Sequence, residues 1–132
     1  MKIEKMKKIN PVVWFEIYVN DIDRAATFYE KVLQVTLKNM SDPTNSDVQM
    51  KYFPNDMENY GAAGALIKMD QVIPSTDGSL IYFGCEDCKV LENRAAENGA
   101  DIIQPKMAIG ENGFVSIIKD SEGNSIGFHS MK

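Results

Sequence analysis

Features that mark several common protein classes are scarce in this sequence. Two cysteines, Cys85 and Cys88, are too few for the disulfide framework of a small secreted domain. Lys and Arg total 14 against 19 Asp and Glu, and the resulting net charge of −5 argues against nucleic acid, because phosphate binding requires clustered basic residues. No apolar run approaches the roughly 18 residues of a membrane span. The composition therefore predicts a protein that binds neither nucleic acid nor membrane.

The first residues carry no recognisable targeting signal. The segment "MKIEKMKK" (1–8) is charged and is not followed by the apolar region of a signal peptide. We expect a frayed lead-in to the fold and a cytoplasmic protein. The length of 132 residues fits one domain, which we expect to span 1–132.

An internal repeat organises the chain. A β-rich stretch, an acidic turn and an amphipathic helix occur from Val12 to Leu33, and the same order begins again near Leu80. Three further strands follow each helix, and the first three are predicted at 35–40, 48–53 and 63–69. The pattern predicts an α+β fold of two β-α-β-β-β modules, at about 11–69 and 79–131, joined by a linker at 70–78.

The first strand, "VVWFEIYV", is divided by alternation into two faces. Trp14, Glu16 and Tyr18 share one face, while Phe15 and Ile17 share the other. The helical stripe that follows is expected to pack onto Phe15 and Ile17. The face with Glu16 would then point away from the helix.

Two segments resemble the vicinal oxygen chelate superfamily, the glyoxalase/bleomycin resistance protein/dioxygenase group. These are "FEIYVNDIDRAATFYEKVL" near the start and "FVSIIKDSEGNSIGFHS" near the end. The resemblance implies paired modules whose sheets curl around a shared cleft, and it implies a homodimer. Members include glyoxalase I, extradiol dioxygenases, fosfomycin-resistance enzymes and bleomycin-resistance proteins.

In metal-dependent members, the resemblance implies His, Gln or Glu ligands on the first and last strand of each module. The matching positions here hold Trp14, Leu80 and Gly127, and the strand at 61–69 contains no His, Gln, Asp or Glu. Indole cannot bind a metal. Glu16 and His129 alone fall short of the three or four protein ligands usual for a transition metal. We therefore expect no metal cofactor.

The remaining candidates each have a structural and a functional interpretation. Glu16 is either a structural acid or a partly buried carboxylate that binds ligand or acts as a general base. His129, the only histidine, is either structural or a ligand contact and proton shuttle that could pair with Glu16. Aromatic and methionine side chains either fill the core or line a ligand pocket: Trp14, Tyr18, Met50, Tyr52 and Tyr82.

Three functions remain open from the sequence. The leading hypothesis is a metal-independent member of the family that binds a small organic molecule in a cleft between the modules. The second is a glyoxalase-type lyase or isomerase with Glu16 as base. The third is a non-catalytic dimeric interaction module whose cleft is closed.

The Cys85-x-x-Cys88 spacing does not favour redox chemistry. Glu86 and Asp87 lie between the two thiols, and negative charge disfavours the reactive thiolate. Cys85 is expected to face the helix layer with Ile81 and Phe83. No further zinc ligands accompany the pair.

Overall fold

The computed structural model describes residues 12, 14–41, 47–56, 58–70 and 72–132. The basic segment 1–8 lies outside them. Within the described residues, each half consists of one strand, one helix and three further strands. In chain order the elements are β1 (Trp14–Tyr18), α1 (Ile22–Leu33), β2 (Lys38–Ser41), β3 (Gln49–Tyr52), β4 (Ala63–Lys68), β5 (Ile81–Gly84), α2 (Cys88–Glu97), β6 (Asp101–Ala108), β7 (Phe114–Lys119) and β8 (Ser125–Ser130). The predicted α+β fold of two β-α-β-β-β modules is confirmed.

The two sheets have the same topology. Their strand orders are β1-β4-β3-β2 and β5-β8-β7-β6, and the first and last strand of each module are parallel neighbours. A short 3₁₀ turn at Gly110–Asn112, absent from the sequence-based prediction, lies between β6 and β7. Neither α-helix in the described ranges is long and apolar enough to cross a membrane.

Helix α1 begins where the acidic turn predicted it. The Asp21 side chain accepts hydrogen bonds from the backbone N–H groups of Asp23 and Arg24, at 3.1 and 3.0 Å, and so caps the helix. The helix buries an apolar stripe that includes Ala25, Tyr29 and Val32. This stripe packs on the sheet and fixes the direction in which the helix leaves β1.

A cluster of four aromatic rings joins the two modules. Phe15, Tyr29 and Phe53 come from the first module and Phe83 comes from the second. Phe83 lies 5.8 Å from Phe15, 5.9 Å from Tyr29 and 5.6 Å from Phe53, between ring centroids. Tilted and edge-on contacts at these distances add about 0.5–1.5 kcal/mol per pair to the burial of apolar surface. The hydrophobic core is therefore shared between the modules.

The turn between β7 and β8 fastens the second module to the first. Its Glu122 carboxylate accepts hydrogen bonds from the backbone N–H groups of Asn20 and Asp21, at 3.0 and 2.9 Å. The same carboxylate forms a two-pronged ion pair with Arg24, with N–O distances of 2.6 and 2.8 Å. A carboxylate at the N-terminus of α1 also interacts favourably with the helix dipole.

Two further residues of this turn reach across the module boundary. Asp120 accepts a hydrogen bond of 2.5 Å from the Tyr29 hydroxyl, and the Asn124 amide donates one of 2.8 Å to the Tyr18 carbonyl oxygen. Burial, together with the Asp120 carboxylate, holds the pKa of Tyr29 well above its ordinary value. We call Asp120, Glu122 and Asn124 the clasp. The segment "DSEGN" (Asp120–Asn124) predicts a tight hairpin turn from its sequence, and nothing local in it indicates these contacts.

We expect Glu122→Gln to destabilise the fold by about 2 kcal/mol, because it removes a buried charge whose hydrogen-bond donors remain. Burial alone would raise the pKa of Glu122, but hydrogen bonds from Arg24, Asp21 and Asn20 outweigh it and the net pKa is lowered. A lowered folded-state pKa adds stability above the ordinary value of about 4.3, and this is lost as pH falls. Urea unfolding should therefore show the difference between the variant and the parent shrinking below that pH.

The matched control is Glu97→Gln, which removes an exposed carboxylate from the end of α2. It should change the free energy of unfolding by less than about 0.5 kcal/mol. A Glu122→Gln variant as stable as this control at neutral pH would contradict the role given to the clasp.

Candidate functional site

The strand register separates the face towards the helices from the face away from them. Trp14, Glu16 and Tyr18 pair with Ala63, Ala65 and Ile67 of β4, so these six side chains share one face. Phe15 and Ile17 lie on the other face, in or against the core. The predicted division of the first strand is confirmed. We call the face away from the helices the open face.

The Glu16 carboxylate is held by its two neighbours on the same face. Trp14 donates its indole N–H to one oxygen at 3.1 Å, and Tyr18 donates its hydroxyl to the other at 2.8 Å. Glu16 is exposed, so the expectation of a partly buried carboxylate is wrong. The core lies on the opposite face of β1, so water reaches the carboxylate. The interpretation as a general base loses the burial on which it depended.

A groove lies between the modules next to Glu16. It has a volume of about 260 Å³. Glu16, Ile17 and Tyr18 line it from β1. The remaining lining comes from the linker and Ser79 after it, from β5, and from the turn before β8 and its start: Ile73, Ser75, Gly78, Ser79, Ile81, Asn124, Ser125 and Ile126. This space exceeds a few water molecules at about 30 Å³ each. The structure therefore does not have the closed cleft of the third hypothesis.

Sequence reasoning missed the linker as part of the site. The Ser75 backbone N–H donates to the Asn124 side chain at 3.0 Å, and the Ser125 hydroxyl donates to the Thr76 carbonyl oxygen at 3.2 Å. These bonds hold the linker over the junction of the two modules. Its serines were visible in the sequence, but nothing local indicated where the linker would lie.

The predicted pocket residues of the later strands are on the open face but do not line the groove. Met50 pairs with Ile67, and Tyr52 pairs with Ala65. Both side chains are half-buried. They extend the open face away from the junction of the modules.

His129 and Tyr82 lie on the corresponding face of the second sheet, where neither lines the groove. The His129 Nε2 lies 2.7 Å from the Asn112 carbonyl oxygen. Between Glu16 and His129, both of which the structure describes, there is no hydrogen bond or ion pair. The suggested pair is therefore not formed.

The residues of the open face do not fit the metal centre that the resemblance implies. Gly127 pairs with Tyr82, and a Cβ at Gly127 would overlap the Tyr82 ring, so a ligating side chain cannot stand there while the ring stays in place. Trp14 offers no ligand atom. Within the described residues, no group of three or more His, Cys, Asp or Glu is arranged to hold a metal ion.

Cys85 and Cys88 are on the core side. Cys85 packs with Ile81 and Phe83 against the core, as predicted, and Cys88 is buried within it. Burial, with the neighbouring Cys88 and Asp87, raises the pKa of Cys85 to about 11. The thiol is therefore protonated at neutral pH and a poor nucleophile.

Comparison with known proteins relates this geometry to one family. Residues 8–128 match the model of the Glyoxalase/Bleomycin resistance protein/Dioxygenase superfamily. No curated protein sequence matches significantly.

Several solved structures share the fold at low sequence identity. A glyoxylase/bleomycin resistance protein/dioxygenase domain from Frankia sp. EAN1pec matches with a TM-score of 0.69 and 16% identity, over 95% of this chain and 100% of that one. A glyoxalase I mutant from Zea mays matches with a TM-score of 0.68 and 18% identity, over 92% of this chain and 47% of that one. A hypothetical protein from S. aureus matches with a TM-score of 0.64 and 19% identity, over 93% of this chain and 95% of that one. At these identities the likeness shows the fold alone.

The contact between Tyr18 and Glu16 can be tested by titration. The pKa of Tyr18 is raised, mainly by the hydrogen bond from its hydroxyl to Glu16 and then by burial and the negative charge of Glu16. We expect Glu16→Gln to lower this pKa towards the ordinary value of about 10. NMR of ¹³C-labelled tyrosine across alkaline pH measures it, and Glu111→Gln on the 3₁₀ turn should have no effect. An unchanged Tyr18 titration in Glu16→Gln would contradict the hydrogen bond.

Proposed function

Since this chain belongs to the glyoxalase/bleomycin resistance protein/dioxygenase superfamily, we propose that it binds a small organic molecule in the groove beside Glu16. The binding uses the side chains of the chain itself and no metal ion. The observation that carries the proposal is the groove at the junction of the modules, of about 260 Å³, lined by Glu16 and Tyr18.

The composition of the groove supports a small-molecule ligand. Ile17, Ile73 and Ile81 supply apolar surface, while serine hydroxyls from the linker and β8 supply a few polar contacts. Mostly apolar walls with a small number of polar groups are typical of ligand sites. The volume is slightly below that of common drug-sized pockets, roughly 300–1,000 Å³, and suits a compact ligand.

The absence of a metal from the proposal is supported by the fit of the side chains. The Tyr82 ring covers Gly127, where the resemblance implies a carboxylate ligand. Trp14 occupies another ligand position and donates its N–H to Glu16. The positions where the resemblance implies metal ligands are therefore filled by aromatic side chains, and a molecule in the groove would meet the Glu16 carboxylate instead of a cation.

The homodimer and the cytoplasmic location stay predictions. The open face keeps large apolar side chains in contact with solvent, with Trp14 40% and Tyr82 46% exposed. A partner subunit or a ligand on this face would cover them.

The test uses a variant at Ser79, directly after the linker, whose larger side chain fills the groove. Trp14 is the only tryptophan and donates its indole N–H to Glu16, which lines the groove, so its fluorescence reports on a ligand that contacts this carboxylate. We expect a library of compact organic molecules to give hits that change this fluorescence. Because Ser79 lines the groove and is exposed, Ser79→Phe should weaken such hits by about tenfold or more without unfolding the protein.

The control is Thr76→Phe, since Thr76 lies three residues before Ser79 in the linker but does not line the groove. It should leave the affinity of the hits unchanged. Hits that bind Ser79→Phe as tightly as the parent would place the ligand elsewhere, and a library without hits would contradict the proposed binding.

A further inference from the structure

Among the residues that the structure describes, Glu16 forms no ion pair with Lys, Arg or His. Its two hydrogen-bond donors, Trp14 and Tyr18, are neutral groups. The ion pairs of the described residues engage other acids: Asp23, Glu86, Asp87, Glu92 and Glu122. The donors therefore orient the Glu16 carboxylate without neutralising it.

The carboxylate retains capacity for a ligand. An ionised carboxylate offers about four acceptor positions, and Trp14 and Tyr18 occupy one on each oxygen. Glu16 lines the groove and is exposed, so a molecule in the groove can reach the remaining positions. The Tyr18 hydroxyl stays protonated near neutral pH, since its pKa is raised, and so adds no second charge.

Aromatic rings flank this charge. Trp14 and Tyr18 hold Glu16 from both sides along β1. The N–H and O–H donors lie in the planes of their rings, so both rings meet the carboxylate edge-on and leave its negative charge in place. A carboxylate oriented by two neutral donors is therefore complementary to an organic cation with an apolar body, which the four isoleucines of the groove would contact.

We propose that the groove takes a compact organic cation, such as a quaternary ammonium or a protonated amine that carries a hydrophobic group. This rests on the proposed binding function and adds the charge class of the ligand. The ammonium would lie against the Glu16 carboxylate beside Tyr18, and the hydrophobic group would lie between Ile17 and Ile81. The net charge of −5 favours the approach of a cation.

The opposite class of ligand has one potential partner in the structure. Lys119 pairs with Ser125, which lines the groove, and so lies on the same face beside it. Lys119 makes no ion pair with Glu16, and both residues are described. If the ligand were an anion, Lys119 on this face would supply an ammonium group to pair with it. A cationic ligand therefore predicts weaker binding in Glu16→Gln, whereas an anionic ligand predicts weaker binding in Lys119→Gln.

The experiment compares three probes of similar size by the indole N–H signal of Trp14: benzyltrimethylammonium, benzyl alcohol and phenylacetate. We expect the cation to bind at least about tenfold more tightly than the alcohol. Glu16→Gln should weaken the binding of the cation about tenfold and leave the affinity for the alcohol unchanged. Lys119→Gln should strengthen the binding of the cation or leave its affinity unchanged. Glu97→Gln removes one negative charge far from the groove. Because salt screens distant charges, this control should not change the affinity for the cation.

The other outcomes overturn the inference in distinguishable ways. Equal affinity for alcohol and cation would refute the cationic class and leave the proposed function standing. Preference for phenylacetate, lost in Lys119→Gln, would assign an anionic ligand instead. No response of Trp14 to any probe would contradict the binding function together with the class of ligand.

Discussion

The carboxylate of Glu122 belongs to the second module, but most of its partners belong to the first. It accepts the two backbone N–H groups at the start of α1 and pairs with Arg24. Asp120 and Asn124 make parallel contacts to Tyr29 and to the end of β1. These directional bonds define one relative position of the modules, which the shared aromatic core by itself would specify less sharply, since apolar contact has no preferred direction.

The groove depends on this position. Asn124 donates to the Tyr18 carbonyl oxygen and accepts from the Ser75 N–H, so one side chain connects β1, the second module and the linker. The side chain of Tyr18 in turn holds Glu16. A shift between the modules would therefore change the groove and the setting of the carboxylate together. Stability and ligand contact are coupled through the same turn.

Much of the fold follows from local patterns, and much of the site does not. Alternation along β1 predicted the shared face of Trp14, Glu16 and Tyr18, and the repeat predicted the module order. The contacts of the clasp with the first module join residues 91 to 106 positions apart, and a sequence that is locally typical of a hairpin turn carries no sign of them. The linker and the exposure of Glu16 were missed for the same reason, because both depend on how the modules meet.

The central claim is that side chains of this chain, and no metal ion, meet the ligand on the open face. Elemental analysis by mass spectrometry, on protein purified without chelators from cells grown with added zinc, manganese, nickel and iron, tests it most directly. The account predicts far less than one metal ion per chain, because three or four protein ligands are usual for such an ion and the open face does not supply them. One ion per chain, lost in Glu16→Gln, would contradict it.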